Sequence, residues 1–199
     1  RASGGEHCAG IGGSKTMGSV ILNSGNITSI SGTRSAGIGV GYNGKGGSVT
    51  INGGTVTSTG YGGGAGIGDV YGGDFGEITI NGGTVSATST EGGAGIGGGY
   101  RGKGGKITIN GGDITSLSRG GGYSIGSGRY LVGSEIYIDK NANVNAFSAS
   151  GIAPIEETDF TTNAFGFAGV FSSNPFKKDD TFEFKSDADS KTVTFPAQC

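Results

Sequence analysis

Three tyrosines recur at a fixed interval in this sequence and offer the first chemistry to consider. Tyr42, Tyr71 and Tyr100 follow one another at a constant 29-residue interval, and Arg129 and Tyr130 stand at the next one. Flat aromatic rings beside polar groups suit carbohydrate ligands. Rings at a constant spacing also stack on one another, which contributes about 0.5–1.5 kcal/mol per pair without any ligand. The series therefore predicts either a sugar platform or a self-stacking ladder of loops.

Residues that could perform catalysis form no recognisable set. His7 is the single histidine, flanked by Glu6 and Cys8. If the three lie on a strand, neighbours point to opposite faces, so we expect no triad or metal site there. Glycoside cleavage needs two facing carboxylates at a set separation, and no such pair stands out. The sequence therefore favours a protein that is not an enzyme.

One acidic cluster could hold a cation. Asp69, Asp74 and Glu77 lie close in sequence and carry the oxygen ligands that Ca²⁺ takes. Their spacing matches neither an EF-hand nor the nonapeptide repeats that bind calcium. We therefore expect no metal and no cofactor, with Ca²⁺ as the one candidate to check against the structure.

Hydroxyl side chains alternate along two consecutive segments, which suggests a second kind of surface. Such rows resemble the T-x-T arrays of ice-binding solenoids. The equivalent positions in the neighbouring segments are Asn26, Thr28 and Ile30 before the patch and Asp113, Thr115 and Leu117 after it, so the regular patch is two segments deep. Threonine is also simply a good solvent-facing strand residue. The residues of this alternative ice-binding face are Thr55, Thr57, Thr59, Thr84, Ser86 and Thr88.

All these residues sit on a repeat with a 29-residue period. The octapeptide Gly76–Gly83, with the sequence Gly-Glu-Ile-Thr-Ile-Asn-Gly-Gly, recurs as Gly47–Gly54 and Gly105–Gly112. A fixed period of 20–50 residues with one β-pattern per repeat is typical of a solenoid. Each repeat holds three short segments in which apolar residues alternate with polar ones, as β-strands require. We therefore predict an all-β, right-handed parallel β-helix with 29-residue coils.

Stacking the coils predicts which residues share a ladder. Two inner ladders would run through Ile78 and Ile80 and their equivalents, and an amide ladder would pass through Asn81 at one corner. The third segment alternates glycine with apolar residues, as in Gly64, Gly66 and Gly68. Those glycines are expected either to leave a smooth outer strip or to be packed against the loops.

Composition excludes several classes of function. The chain has 199 residues with 47 Gly, 3 Pro and no Trp, and no Gly-X-Y period, so it is not collagen. A net charge of −2 implies neither nucleic acid nor an anionic membrane as partner, and no apolar run is long enough to span a bilayer. The chain opens in the middle of a repeat, so we expect part of a coil upstream. Cys8 and Cys199 are expected to be unpaired thiols.

The composition changes at residue 154, which divides the chain into a β-helix over 1–153 and a C-terminal cap over 154–199. The second part holds two glycines but eight of the ten phenylalanines. Thr181–Lys185 and Lys191–Phe195 alternate around a five-residue connection, which predicts a β-hairpin. The phenylalanines expected to cover the open end of the last coil are Phe160, Phe165, Phe167, Phe171 and Phe176.

The Ile-Thr-Ile-Asn-Gly-Gly strands and the Ala-Gly-Ile-Gly copies at Ala65 and Ala94 resemble the glycine-rich right-handed parallel β-helix repeats of bacterial secreted and cell-surface proteins. Such helices serve as carbohydrate-binding modules, adhesin stalks, and bodies of polysaccharide lyases and hydrolases. The resemblance implies a secreted or cell-surface solenoid that binds a glycan or polysaccharide without catalysis. The alternatives are an ice-binding protein and a fragment of a β-helical lyase or hydrolase.

Overall fold

The protein is a stack of coils built from three parallel sheets. The computed structural model describes residues 1–131, 134–139, 142–148, 181–185 and 190–194. Each coil contributes one strand to each sheet, and the strands of a sheet are joined in the order of the coils. Sheet 1 contains β1 (Ala2–Ser3), β4 (Asn26–Ile30), β7 (Thr55–Gly60), β10 (Thr84–Ser89), β13 (Gly112–Ser118) and β16 (Ala142–Ser148).

The other two sheets have five strands each. Sheet 2 contains β2 (Ile11–Gly13), β5 (Ile38–Val40), β8 (Ile67–Gly68), β11 (Ile96–Gly97) and β14 (Ile125–Gly126). Sheet 3 contains β3 (Ser19–Leu22), β6 (Ser48–Ile51), β9 (Glu77–Ile80), β12 (Lys106–Ile109) and β15 (Glu135–Ile138). The chain passes from sheet 3 to sheet 1 to sheet 2 and then begins the next coil.

The register of the parallel pairs confirms the 29-residue coil. Ile78 pairs with Val49 on one side and with Ile107 on the other, which are its equivalents in the preceding and following repeats. The shortened first interval is also real, because Ile11 pairs with Ile38 and not with the residue at the regular spacing. Parallel pairing between coils satisfies the backbone N–H and C=O groups that a single coil would leave open.

The core is a narrow column of β-branched side chains. Ile78 and Ile80 of β9 are fully buried, and between them Thr79 is half-buried on the outer side of the sheet. Val85 and Ala87 of β10 are likewise inside. The predicted inner ladders are therefore confirmed. The members that pack in the described core are Val49, Ile51, Ile78, Ile80, Ile107, Ile109, Ile136 and Ile138, together with Ile38, Ile67, Ile96 and Ile125 of sheet 2.

The predicted amide ladder is also present at the corner between sheets 3 and 1. Asn81 Nδ2 donates to Asn52 Oδ1 at 2.7 Å, and Asn110 Nδ2 donates to Asn81 Oδ1 at 2.8 Å. Asn52 in turn donates to Asn23 Oδ1 at 2.7 Å. Each interior asparagine thus donates one hydrogen bond and accepts one, which holds neighbouring coils in register on an exposed edge.

The glycines of sheet 2 do not form a smooth outer strip. Gly64, Gly66 and Gly68 are all buried. A Cβ built on Gly66 would lie 2.6 Å from the backbone nitrogen of Thr88 in sheet 1, so any side chain there would displace the backbone of the other sheet. The strip expectation is wrong, and the tight-packing alternative holds, because neighbouring backbone fills the space. A Cβ on Gly64 would overlap Ser35 O and one on Gly68 would overlap Gly97 O, both in adjacent coils.

Buried serines of sheet 1 form hydrogen bonds with the backbone that leads into sheet 2. Ser29, Ser58 and Ser116 occupy equivalent inward positions of sheet 1. Their hydroxyls donate to the carbonyl oxygens of Gly37, Gly66 and Ser124 at 2.6–2.7 Å. Ala87 takes the same position in the coil between Ser58 and Ser116 and has no hydroxyl to donate.

The C-terminal part is described only at its hairpin. β17 (Thr181–Lys185) and β18 (Ser190–Thr194) pair antiparallel, with Thr181 opposite Thr194. The hairpin is confirmed, but its second strand begins one residue earlier than predicted, so the connection has four residues. β18 contacts β16, the last strand of sheet 1. The remaining cap residues, including the five phenylalanines named above, and the proposed boundary at 153/154 lie outside the described residues, so the cap stays a prediction.

All the elements in the described ranges are strands, and these ranges hold no helix of the length and hydropathy that a membrane span requires.

Candidate functional site: a groove between two series of loops

Two series of loops flank sheet 2 and come together over it. Loops A join sheet 1 to sheet 2 and comprise residues 31–37, 61–66, 90–95 and 119–124. Loops B leave sheet 2 towards sheet 3 and comprise 41–47, 69–76, 98–105 and the stretch after β14 with Arg129 and Tyr130. The backbone of Tyr100 donates to Gly63 O at 2.6 Å, and that of Arg129 donates to Gly92 O at 2.8 Å. These bonds tie two of the loops B to loops A.

A left-handed turn places the aromatic residues of loops B. Gly72, Arg101 and Tyr130 occupy equivalent positions in successive coils, with φ angles of 66°, 56° and 73°. Non-glycine residues seldom adopt this conformation. Here the neighbouring coils hold the same turn, since Gly72 N donates to Tyr100 O and Arg101 N donates to Arg129 O. Arg101 and Tyr130 therefore carry side chains where Gly72 has none.

The structure brings together only part of the predicted tyrosine series. Tyr71 and Tyr100 stack with 5.1 Å between ring centroids and 18° between planes. Tyr130 meets Tyr100 edge to face, with 5.6 Å between centroids and an angle of 86°. The guanidinium of Arg129 lies 4.6 Å above the Tyr130 ring. Four of the five predicted ligand-binding residues thus form one contiguous cluster.

Tyr42 packs in a different cluster. Its ring lies 4.9 Å from that of His7, and the Arg34 guanidinium lies 5.6 Å from its centroid. The backbone N–H of Tyr42 also donates to His7 O. This loop contacts the first coil, where Gly13 stands 29 residues before Tyr42, and the aromatic partner of Tyr42 in that coil is His7.

A groove opens beside the stacked pair, with a cavity volume of about 430 Å³. Loops A form one side and loops B the other, and we name it the arginine groove. Its volume is in the range of small-molecule sites, roughly 300–1,000 Å³. The groove is lined by Arg34, Gly62, Gly63, Tyr71, Thr90, Glu91, Gly92, Tyr100, Arg119, Gly120 and Arg129.

Three of the lining residues are arginines without a carboxylate partner. Within the described ranges the ion pairs are Glu6 with His7 and Lys106 with Glu77, so Arg34, Arg119 and Arg129 all lack one. Arg34 and Arg119 are exposed, and Arg129 is half-buried. The Nε atom of Arg129 is buried and has no hydrogen-bond partner among the described residues. A buried N–H group without a hydrogen bond costs free energy, so this donor is a candidate to bond an acceptor on a ligand.

Sequence reasoning missed Arg34, Arg119 and Glu91. The equivalents of Arg34 in the following coil and of Arg119 in the preceding coil are Gly63 and Thr90, so neither arginine belongs to a ladder. Only Arg129 was found, because it stands at the tyrosine interval. The sequence offered one signal for these arginines. Each lies in a glycine-rich loop, and the equivalent residue of the adjacent coil is not acidic.

The acidic trio does not form a calcium site. Asp74 and Glu77 are exposed, whereas Asp69 is fully buried. Asp69 Oδ1 accepts a hydrogen bond from Val70 N at 2.7 Å, and its Oδ2 has no hydrogen-bond partner among the described residues. Burial, with a smaller contribution from the Asp74 charge, raises the pKa of Asp69 to about 8. In the part of the chain that the structure describes, no three His, Cys, Asp or Glu side chains are grouped to hold a metal.

The expectation for the N-terminal polar residues needs a correction. Residues 6 and 7 form a turn, with φ of 59° at His7, and His7 Nε2 lies 3.6 Å from Glu6 Oε1. The two side chains therefore meet, which alternation along a strand would prevent. Cys8 is half-buried with a free thiol, and Cys199 lies outside the described residues.

The hydroxyl face lies on sheet 1, on the outer side of β7 and β10. Thr84, Ser86 and Thr88 pair in register with Thr55, Thr57 and Thr59. The middle column continues into the neighbouring coils, because Thr28 pairs with Thr57 and Thr115 pairs with Ser86. The first and third columns end at the neighbouring coils, as predicted.

Comparison with known proteins agrees with the fold. The beta helix repeat family model matches three segments of the chain, residues 49–73, 78–100 and 107–129. No significant match exists among curated proteins or among solved structures. The repeat sequence and the parallel coils together fit a β-helix repeat protein, and the matched segments include Tyr71, Tyr100 and Arg129.

Proposed function

We propose that this protein is a non-catalytic, secreted or cell-surface solenoid that binds carbohydrate in the arginine groove. The observation that carries the proposal is the stacked pair Tyr71 and Tyr100 in the wall of a groove whose charged groups are arginines and Glu91. Aromatic rings contact the apolar C–H faces of sugars, while arginine and carboxylate groups bond their hydroxyls.

The stacking geometry decides how a sugar would bind. The facing sides of Tyr71 and Tyr100 are already in contact, so a sugar chain cannot lie between the rings. Among the described residues Tyr71 has a single ring contact, with Tyr100. Tyr100 is more enclosed, since Tyr130 meets it edge to face and Arg101 lies 5.6 Å from its centroid. We therefore assign the sugar-stacking surface to the second face of Tyr71.

An adhesive role follows from the shape of the stack. Similar coils present loops A and B on one side along the axis, so a polysaccharide could cross several coils. The cross-bonds from Tyr100 to Gly63 and from Arg129 to Gly92 hold the two loop series in place before binding. A preformed site loses little conformational entropy when the ligand enters.

The test is a polysaccharide panel on the parent, followed by titration of Tyr71→Ala with the polymer that binds. Tyr137→Ala is the matched control, because Tyr137 is an exposed tyrosine on the outer side of sheet 3 and does not line the groove. Tyr71→Ala should weaken binding about fivefold, because an aromatic stacking contact contributes about 1 kcal/mol. Equal affinity of Tyr71→Ala and parent, or a parent that binds no polysaccharide, contradicts the proposal.

Ice binding is a second candidate, favoured by one observation. Thr28, Thr57, Ser86 and Thr115 carry hydroxyls and pair in register across four coils of sheet 1. Parallel strands lie about 4.8 Å apart, so these residues recur at a constant spacing, as binding to the regular surface of an ice crystal requires. Thermal hysteresis measured on the parent and on Thr57→Lys would test it. Hysteresis that Thr57→Lys abolishes would favour ice over sugar, and its absence in the parent would remove this candidate.

A further inference from the structure

The arginine groove is a cationic site in a chain with negative net charge. It holds three guanidinium groups and one carboxylate, while the whole chain carries −2. Arg34, Arg119 and Arg129 form no ion pair in the described ranges, so the lining side chains carry two more positive charges than negative ones. Like charges facing one groove repel one another, and a bound anion removes that repulsion.

Arg129 adds directional evidence. Its guanidinium carbon lies 4.6 Å from the centroid of the Tyr130 ring, a cation–π contact within the wall of the groove. The buried Nε–H has no acceptor among the described residues. A planar guanidinium bonds a carboxylate or a sulfate through two parallel N–H groups. An acidic group beside Arg129 would therefore satisfy a donor that the rest of the described chain leaves without a partner.

Resting on the proposed function, we propose that the arginine groove selects acidic polysaccharides, those bearing carboxylate or sulfate groups, over neutral ones. Arg129 binds the acidic group, Arg34 and Arg119 hold neighbouring charges, and Tyr71 stacks on the sugar ring. Nucleic acid is the less suitable anion, because its binding proteins present extended basic tracks and this chain is acidic outside the groove.

Glu91 lines the same groove, and its substitution should change the affinity for an acidic polymer in the opposite direction to an arginine substitution. Its side chain is exposed and forms no ion pair with the groove arginines. A carboxylate there repels an acidic sugar and accepts hydrogen bonds from hydroxyls. Glu91→Gln should thus strengthen binding of an acidic polymer, whereas each arginine substitution should weaken it.

The experiment compares polymers that differ only in charge. Polygalacturonate is titrated beside its methyl ester, and dextran sulfate beside dextran, at low and high salt. The parent should bind at least one acidic polymer about tenfold tighter than its neutral partner, and added salt should weaken that binding. Which acidic polymer binds distinguishes carboxylate from sulfate as the recognised group.

Variants assign the selectivity to the groove. Arg129→Gln and Arg119→Gln should each lower affinity for the acidic polymer about tenfold. Arg119 is exposed, so its variant tests the proposal even where Arg129→Gln folds poorly. Lys106→Gln is the charge-matched control on sheet 3 and should bind as the parent does.

The outcomes separate this inference from the function on which it rests. Equal binding of acidic and neutral polymers, unchanged in the arginine variants, overturns the selectivity and leaves carbohydrate binding intact. A parent that binds none of the four polymers overturns the selectivity, and a parent that binds no other polysaccharide of the panel either overturns carbohydrate binding as well. Binding of single-stranded DNA as tight as that of the acidic polymer, and lost in the same variants, overturns the assignment to sugar.

Discussion

Tyr71 and Tyr100 occupy equivalent positions in adjacent coils and stack with 5.1 Å between their ring centroids. The separation is close to the distance between adjacent parallel strands, about 4.8 Å, so the coil repeat itself sets the ring spacing. The same repeat sets the amide ladder and the buried isoleucines. A change at one position of a coil therefore has predictable consequences in the coils on both sides.

Replacing Ile80 by Asp should severely destabilise the fold. Ile80 is fully buried between Ile51 and Ile109, so an aspartate there would place a charge in an apolar column. We expect a loss of at least about 3 kcal/mol in the free energy of unfolding, measured by chemical denaturation. Thr79→Asp is the matched control, because Thr79 faces outward on the same strand. Equal losses in the two variants would contradict the inward assignment of Ile80.

The amide ladder predicts a graded effect. Asn81 makes two side-chain hydrogen bonds, donating one to Asn52 and accepting one from Asn110, whereas Asn23 accepts a single hydrogen bond from Asn52. Asn81→Ala should thus cost more stability than Asn23→Ala, with about 0.5–1 kcal/mol for each bond at this exposed edge. Thermal or denaturant unfolding of both variants measures the difference. A cost for Asn23→Ala as large as that for Asn81→Ala would show that the ladder does not act through these bonds.

The buried serines predict that two substitutions change stability in opposite directions. Ser58→Ala removes the hydroxyl that donates to Gly66 O at 2.6 Å and should cost about 1 kcal/mol. Ala87→Ser adds a hydroxyl at the equivalent position, beside Gly95 in the next segment, and should leave stability unchanged or increase it. Unfolding curves of the two variants, measured together, give the signs. Strong destabilisation by Ala87→Ser would mean that this coil is packed differently from its neighbours.

Because the pKa of Asp69 is raised, we expect the stability of the fold to fall as the pH rises. Its pKa is raised to about 8 in the folded protein, against about 4 in an unfolded chain. The folded state thus binds the proton more tightly, and stability decreases between about pH 4 and pH 8 and then levels off. Asp69→Asn keeps the shape without the charge and should flatten this decline. Unfolding midpoints across the pH range test it, and parallel profiles for parent and variant would contradict the role of Asp69.

The sequence predicted the features that alternation and repeat decide and missed those that packing decides. Ile78 and Ile80 could be placed inside because the alternation along the strand agrees with the repeat between coils. Gly66 could not be placed, since a glycine facing solvent and a glycine pressed against backbone give the same pattern. The packing between sheets 1 and 2 decides between them, and that packing depends on serines such as Ser58, which lie earlier in each coil.

The site shows the same division. Tyr71 and Tyr100 were found because they share a ladder, whereas Tyr42 departed from it at the shortened first coil. Arg34 and Arg119 come from inequivalent positions of loops A, and the fold alone brings them to one groove. No spacing in the sequence could have shown that they share it.

Mapping the bound ligand by amide chemical shifts tests carbohydrate binding in the arginine groove most directly. The probe is an oligosaccharide from the polymer that the parent binds best, added to isotope-labelled protein. We predict shifts for the backbone amides of Gly62, Gly63, Gly92 and Gly120, which line the groove, and none for Thr50, Thr79 and Thr108 on the outer side of sheet 3. Shifts confined to sheet 3, or to the hydroxyl face of sheet 1, would contradict the account.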